Sequence, residues 1–248
     1  MSEKEHRYWR YGIGYGIFCI SILIVVLLIL FIGGKEEQEL SKVMQSIEQT
    51  KETTPEEISL SEQEIKRIAL TFDDGPHPVY TEQMLEVLEE NQVPATFFLL
   101  GQNIEGQEDV VKEIAEKGHL IGNHTYHHVQ ITGMPAEKAY EEIDKTSKLI
   151  EKVTGKGTEY VRPPFGTWNT GLESTLNLIP VMWTIDTKDW TTENVDAIVN
   201  HVVKNAGEND IILMHDSYQS TVEATERIIK LLKSKGFEFV TVDEVIMD

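Results

Sequence analysis

The chain has a single cysteine in 248 residues, Cys19, and it lies inside an apolar run. No intrachain disulfide can form, and zinc held by a cysteine cluster is excluded. Any metal centre must therefore be built from His, Asp and Glu. Basic residues are also scarce: 22 Lys and Arg stand against 42 Asp and Glu, a net charge of -20. Nucleic-acid binding needs cations that displace counterions from phosphates, so no nucleic-acid partner is expected. The same balance opposes attraction to anionic lipid surfaces and otherwise favours solubility. Aromatic residues are missing from residue 35 to residue 61, where Glu, Gln, Lys, Ser and Thr dominate. That composition reads as a solvated spacer, although Leu40, Val43, Met44 and Ile47 have helical spacing and leave a short stalk helix open.

Residues 13–32 are mostly apolar, and about 20 such residues span a bilayer as a helix. Lys4, Arg7 and Arg10 precede the run, while Glu36, Glu37 and Glu39 follow it, which places the N-terminus in the cytoplasm. The expected organisation is a cytoplasmic tail (1–12), a single-pass cell-membrane anchor (13–32), a polar spacer (33–63) and an extracellular domain (64–248). A cleaved signal peptide is the alternative. The run is long for one, and no small-residue cleavage site follows Phe31-Ile32-Gly33-Gly34. Lipid attachment at Cys19 fits less well, because most of the apolar run lies beyond it. The outer domain, roughly 180 residues, is large enough to bury a stable core.

Beyond residue 64, short apolar runs alternate with helical patterns. Strands are expected at 68–72, 95–100, 120–122, 160–161, 181–185, 211–214 and 237–240. Helices are expected at 81–90, 108–117, 136–153, 195–204 and 222–235, with Gly118 as a helix stop. This alternation predicts βαβ units and a parallel sheet of about seven strands, either a barrel or a doubly wound sheet. Polar clusters follow five of these strands: Asp73-Asp74-Gly75-Pro76, His124-Thr125-Tyr126-His127-His128, Arg162-Pro163-Pro164-Phe165-Gly166, Asp186-Thr187-Lys188-Asp189-Trp190 and Leu213-Met214-His215-Asp216. Active sites of β/α barrels collect at the C-terminal ends of strands, so five such clusters favour a barrel with one composite site.

Each cluster also has a plain structural reading. Asp-Asp-Gly-Pro is a common turn, Arg162 could be a surface residue before rigid prolines, and Asp189 and Asp216 could cap helices. His215 could be an ordinary core histidine. Against these, two adjacent carboxylates at a strand end repel unless something separates them, and a metal taking one of them would do so. His124 and His128 are four residues apart, one turn of a helix, so both can point at one centre while His127 faces elsewhere. With Asp74 they form a His-His-carboxylate set. That set suits zinc as a Lewis acid and equally suits non-haem iron in an oxygenase.

In all five clusters and in their order, the chain from about residue 67 to residue 245 resembles the carbohydrate esterase family 4 polysaccharide deacetylases, which share the NodB homology domain. The resemblance implies a distorted (β/α) barrel of about seven strands, here preceded by one transmembrane helix. It implies metal-dependent hydrolytic N-deacetylation of an N-acetylated polysaccharide, with peptidoglycan favoured for a protein facing a cell wall. The metal would be divalent, zinc first, with cobalt or another divalent ion as alternatives. Asp74, His124 and His128 would be its ligands and Asp73 the general base, oriented by Arg162. His215 would be the general acid, partnered by Asp189. The backbone N–H of Phe165 would face the oxyanion, and the Phe side chain, where many members carry Tyr, would matter little. Trp190 and Leu213 would line the acetyl pocket, and Trp168 and Trp183 could stack on sugar rings. A sugar-binding protein that keeps the fold without turnover is the alternative function.

Overall fold

In the computed structural model, residues 66–168 and 176–247 are described, and Glu64–Asp248 fall within one compact unit. The expected anchor and spacer lie outside the described residues. Among the described residues no helix is long and apolar enough to cross a membrane.

The described residues contain eight strands: β1 (Lys66–Asp73), β2 (Thr96–Leu99), β3 (Leu120–Asn123), β4 (Tyr160–Val161), β5 (Ile179–Pro180), β6 (Ile185–Asp186), β7 (Asp210–His215) and β8 (Phe237–Val240). All the pairings are parallel, and seven strands follow the order β5-β4-β3-β2-β1-β7-β6. The eighth, β8, pairs with the first half of β1, at residues 66–69, while β2 pairs with its second half, at residues 71–73. The result is a curled half-barrel, in agreement with the barrel expected from the polar clusters. Helices α1 (Tyr80–Asn91), α2 (Gly101–Ile104), α3 (Glu108–Glu116), α4 (Ala136–Thr154), α5 (Val195–Asn205), α6 (Gln219–Ser234) and α7 (Val242–Ile246) connect or follow the strands, with α2 and α3 in succession between β2 and β3 and none of the seven between β4 and β6. The short helices α2 and α7 were not expected from the sequence. Gly118 lies just beyond α3 with φ +82°, a conformation that glycine adopts without strain.

Side chains of a strand alternate between its two faces. In β1, Ile68, Leu70 and Phe72 pack with Met84, Leu85 and Leu88 of α1 and with Ile228 and Leu232 of α6 in the main core. Ala69, on the opposite face, joins Phe98, Tyr160, Val181, Ile211 and Val242 in a second cluster inside the curl. Thr71 and Asp73 share that inner face and bring polarity to its C-terminal end. The inner packing is close: a Cβ at Gly122 would lie 2.3 Å from Phe98. Register then sets the site, because Thr71 pairs with Leu213 and Asp73 with His215.

The single strand expected at 181–185 is replaced by β5 and β6 with a connection between them. Val181 N–H donates to Val161 O at 2.8 Å, on the β4 side, whereas Thr184 N–H donates to Ile211 O at 2.9 Å, on the β7 side. This segment crosses from one edge of the sheet to the other and cannot hold one ladder. Arg162 takes up its carbonyls, with Nε donating to Val181 O at 3.2 Å and Nη2 to Met182 O at 3.3 Å.

Candidate active site

The C-terminal ends of the strands surround a cleft of about 380 Å³, lined by Asp73, Asp74, His124, His128, His215 and Leu213, with Phe165, Trp183, Trp190 and Tyr218 among its remaining walls. Arg162 lies beneath it. The guanidinium is wholly buried, 4.2 Å above the Phe98 ring, and its Nη1 donates to Asp73 Oδ1 at 2.8 Å and to Thr71 Oγ1 at 2.6 Å. Burial opposes the guanidinium charge and the Asp73 carboxylate supports it. A planar fork fixed at several points holds one carboxylate oxygen in place and leaves Asp73 Oδ2 directed elsewhere.

That second oxygen lies 3.8 Å from His124 Nε2. His124 Nδ1 is 2.6 Å from Arg162 O, so Nδ1 carries the proton and Nε2 presents a lone pair. Burial lowers the His124 pKa, against the pull of Asp73 and Asp74, and favours the neutral ring that a metal requires. Asp74 Oδ1 is 3.5 Å from both His124 Nε2 and His128 Nε2. One ligand atom from each of the three residues lies within 4.8 Å of the others, and Asp74 Oδ1 is a buried oxygen without a hydrogen-bond partner. Two imidazole nitrogens and an orphaned carboxylate oxygen converging on one point fit a divalent cation such as zinc. The helical reading of His124–His128 is corrected, since these residues form a loop in which Thr125 (φ 68°) and His128 (φ 55°) are left-handed. Backbone reversal, not helical spacing, turns the two rings to the same side.

Across the cleft, His215 Nδ1 is 2.8 Å from Asp189 Oδ1. Asp189 Oδ2 accepts from the His215 N–H at 2.7 Å and from Thr221 Oγ1 at 2.9 Å. Burial pulls the His215 pKa down, but the hydrogen bond and charge of Asp189, with Asp73 and Asp74 beyond, carry it to about 9. The Nε2 edge is left for the cleft. Phe165 (φ 62°, 63 % exposed) stands at the lip with its ring edge-on to His128, and Trp190 is 56 % exposed. Trp183 lines the cleft and also packs against the inner cluster of Ala69 and Phe98, whereas Trp168 packs against the cluster around Ile131 and Val161.

Several residues of this arrangement were not singled out in the sequence. Thr71 opens the first of the five family-like motifs but carried no role of its own there, and Thr221 is a single hydroxyl with no motif to mark it. Tyr218 precedes α6 and was hidden by an ordinary helix start. Glu142 of α4 accepts from the backbone of Tyr126 and His127 and faces His127 Nδ1 at 2.7 Å, which holds the histidine loop and turns His127 away from the cleft, as expected. Asp216 does not cap a helix. It is wholly buried, accepts from the Thr81 hydroxyl and lies against Gly75, where a Cβ would meet its carboxylate at 2.6 Å. Burial, opposed by the Thr81 bond, pushes its pKa up to about 7.

A buried acid–arginine pair, a metal-ready His-His-Asp set and a histidine–aspartate pair at the strand ends of one half-barrel define the class, a hydrolase-type site with separate base and acid positions. The polysaccharide deacetylase family model matches residues 61–181. A peptidoglycan-N-acetylglucosamine deacetylase of Bacillus cereus is 40% identical over 189 residues, covering 73% of this chain and 88% of that protein. The chain belongs to the polysaccharide deacetylase family. The peptidoglycan-N-acetylglucosamine deacetylase PgdA of Listeria monocytogenes is 38% identical over 180 residues, 73% of this chain, but the match spans about two-fifths (39%) of that relative's length. The solved structure of peptidoglycan deacetylase PdaC from Bacillus subtilis superposes with a TM-score of 0.72 at 36% identity, covering 74% of this chain and 91% of that one.

Proposed function

We propose that this chain is a metal-dependent deacetylase that removes acetyl groups from the amino sugars of peptidoglycan, releasing acetate and leaving a free amine on the polymer. One observation carries the reading. Asp73, fixed by Arg162 beside the Asp74–His124–His128 set, is the register neighbour of His215, itself fixed by Asp189. Base and acid thus stand on neighbouring strand ends and line one cleft with the three candidate ligands. The relatives named for peptidoglycan deacetylation support the choice of polymer.

Asp74, His124 and His128 would hold the divalent ion, zinc by the donor set. Bound there, it would supply Lewis acidity toward the acetamide carbonyl and lower the pKa of water. Asp73 takes the proton of the water that attacks the carbonyl carbon. Arg162 keeps Asp73 aimed, because its guanidinium holds Oδ1 at 2.8 Å and leaves Oδ2 free to face the cleft. The Phe165 N–H contributes to holding the oxyanion. His215 gives its proton to the departing amine nitrogen as the C–N bond breaks, and Asp189 holds the ring in the orientation that presents Nε2. Leu213 and Trp190 enclose the acetyl methyl. The domain works outside the cytoplasm on the residue 13–32 anchor, a reading supported by the apolar run and its basic N-terminal flank.

Chelation is expected to abolish acetate release from N-acetylated oligosaccharide, and zinc or cobalt to restore it. Full-rate deacetylation by a chain verified as metal-free would overturn the assignment of Asp74, His124 and His128.

A further inference from the structure

The two loops that carry the candidate metal ligands are tied to one short segment, residues 100–107. Toward the aspartate loop, Asn103 Nδ2 donates to Asp74 O at 2.8 Å, the Leu100 N–H to Gly75 O at 2.9 Å and Gln107 Nε2 to Pro76 O at 3.1 Å. Toward the histidine loop, the Gly101 N–H donates to Thr125 O at 3.0 Å and the Gln102 N–H to Tyr126 O at 3.1 Å. Consecutive residues of the α2 turn therefore set the spacing between Asp74 on one loop and His124 and His128 on the other. Most of these ties are backbone bonds that survive substitution. Asn103 is different, because its side chain holds the peptide group of a candidate ligand.

Asp74 needs such a hold. Its φ of 72° lies in the left-handed region, which a residue with a Cβ enters at a cost of order 1 kcal/mol. Its Oδ1 is buried without a partner, so the side chain does not pin itself. The Asn103 amide binds the carbonyl of this strained residue and stabilises the conformation that turns the carboxylate toward the histidines.

We propose that Asn103 is a positioning residue for the metal centre, which pre-orients Asp74 and thereby sets the metal affinity. The inference rests on the metal site proposed above but not on the identity of the substrate. Losing a partner that orients a ligand typically costs ten- to a hundredfold in metal affinity.

The test is the zinc dissociation constant of the purified full chain, measured by competition with a chromophoric chelator, beside the melting temperature of the metal-free chain. Asn103→Ala removes the amide, and Asn103→Leu removes it while keeping much of the volume, which provides a folded variant if the alanine chain is unstable. Both are expected to weaken zinc by about tenfold or more. Asp74→Asn is the control. If it binds zinc as the parent does, the metal-site assignment itself is wrong. If Asp74→Asn weakens zinc while a folded Asn103→Ala or Asn103→Leu chain stays within about twofold of the parent, the metal site stands and the role of Asn103 is refuted. A lower metal-free melting temperature with unchanged zinc affinity likewise refutes it, as that is the signature of a merely structural bond.

Discussion

Replacing Asp189 with Asn removes the charge facing His215 while preserving side-chain size. Burial alone would lower the His215 pKa, so its value of about 9 depends on the Asp189 hydrogen bond and charge, with smaller help from Asp73 and Asp74. Without Asp189 the imidazole returns to its ordinary value of about 6.5 or lower. At pH 8 the protonated fraction then falls from about nine-tenths to about one-thirtieth, while at pH 6 about three-quarters is kept. A general acid must carry its proton when the C–N bond breaks, so Asp189→Asn should lose turnover steeply on the alkaline side and little on the acid side. The assay is kcat against pH on an N-acetylated oligosaccharide at saturating zinc, where the basic limb should move down by about two and a half units or more. Stability gives an independent reading in the metal-free chain. The folded-state pKa of His215 lies above its unfolded value, so the folded chain binds the extra proton between about 6.5 and about 9. The stabilisation from the pair is complete below that window and is lost as pH rises through it, with a slope of up to about 1.4 kcal/mol per pH unit. Asp189→Asn should flatten this slope. Uniform loss of turnover at every pH, with an unmoved basic limb and an unchanged slope, would refute the reasoning and leave Asp189 as an orienting group only.

The neighbouring aspartates should separate: Asp73→Asn keeps its zinc content and loses turnover by orders of magnitude, whereas Asp74→Asn loses zinc, and equal metal loss in both by elemental analysis would contradict the division of roles. Arg162→Met keeps an apolar stem against Phe98 but strands Asp73 as a buried charge, so denaturant unfolding near neutral pH should show a loss of about 3–5 kcal/mol. A loss under about 1 kcal/mol would mean that the buried Arg162–Asp73 contact contributes little to the fold. The full chain should remain with membranes in high salt, because an apolar span is not released by charge screening; recovery of soluble protein with a new N-terminus near residue 35 would favour a cleaved signal peptide.

Much of this architecture is legible from two local signals. Apolar runs such as 68–72 and 211–214 mark buried parallel strands, and the polar residues that end them must lie at one rim if the strands are parallel. Asp73 and His215 illustrate the point, since each is the first ionisable residue after a run and register makes them neighbours. What was not legible depends on the path of the chain in three dimensions. The 181–185 run reads as a strand by composition, yet its hydrogen bonds go to opposite edges of the sheet. The histidine spacing reads as a helical turn, but left-handed residues at 125 and 128 produce the same convergence differently. Asn103 and Glu142 act on ligand loops 29 and 15 or 16 residues away through single polar bonds, which leave no periodicity to read. Asp216 fits a helix cap by sequence because its burial under Gly75 is set entirely by tertiary packing.

One measurement tests peptidoglycan deacetylation most directly: acetate released from purified N-acetylated peptidoglycan by the zinc-loaded full chain, quantified beside the free amino groups formed on the glycan. Acetate and amines should appear in equal amounts, and both should vanish with Asp73→Asn. A chain that binds the polymer and retains zinc but releases no acetate would contradict the account and identify a wall-binding protein built on the deacetylase fold.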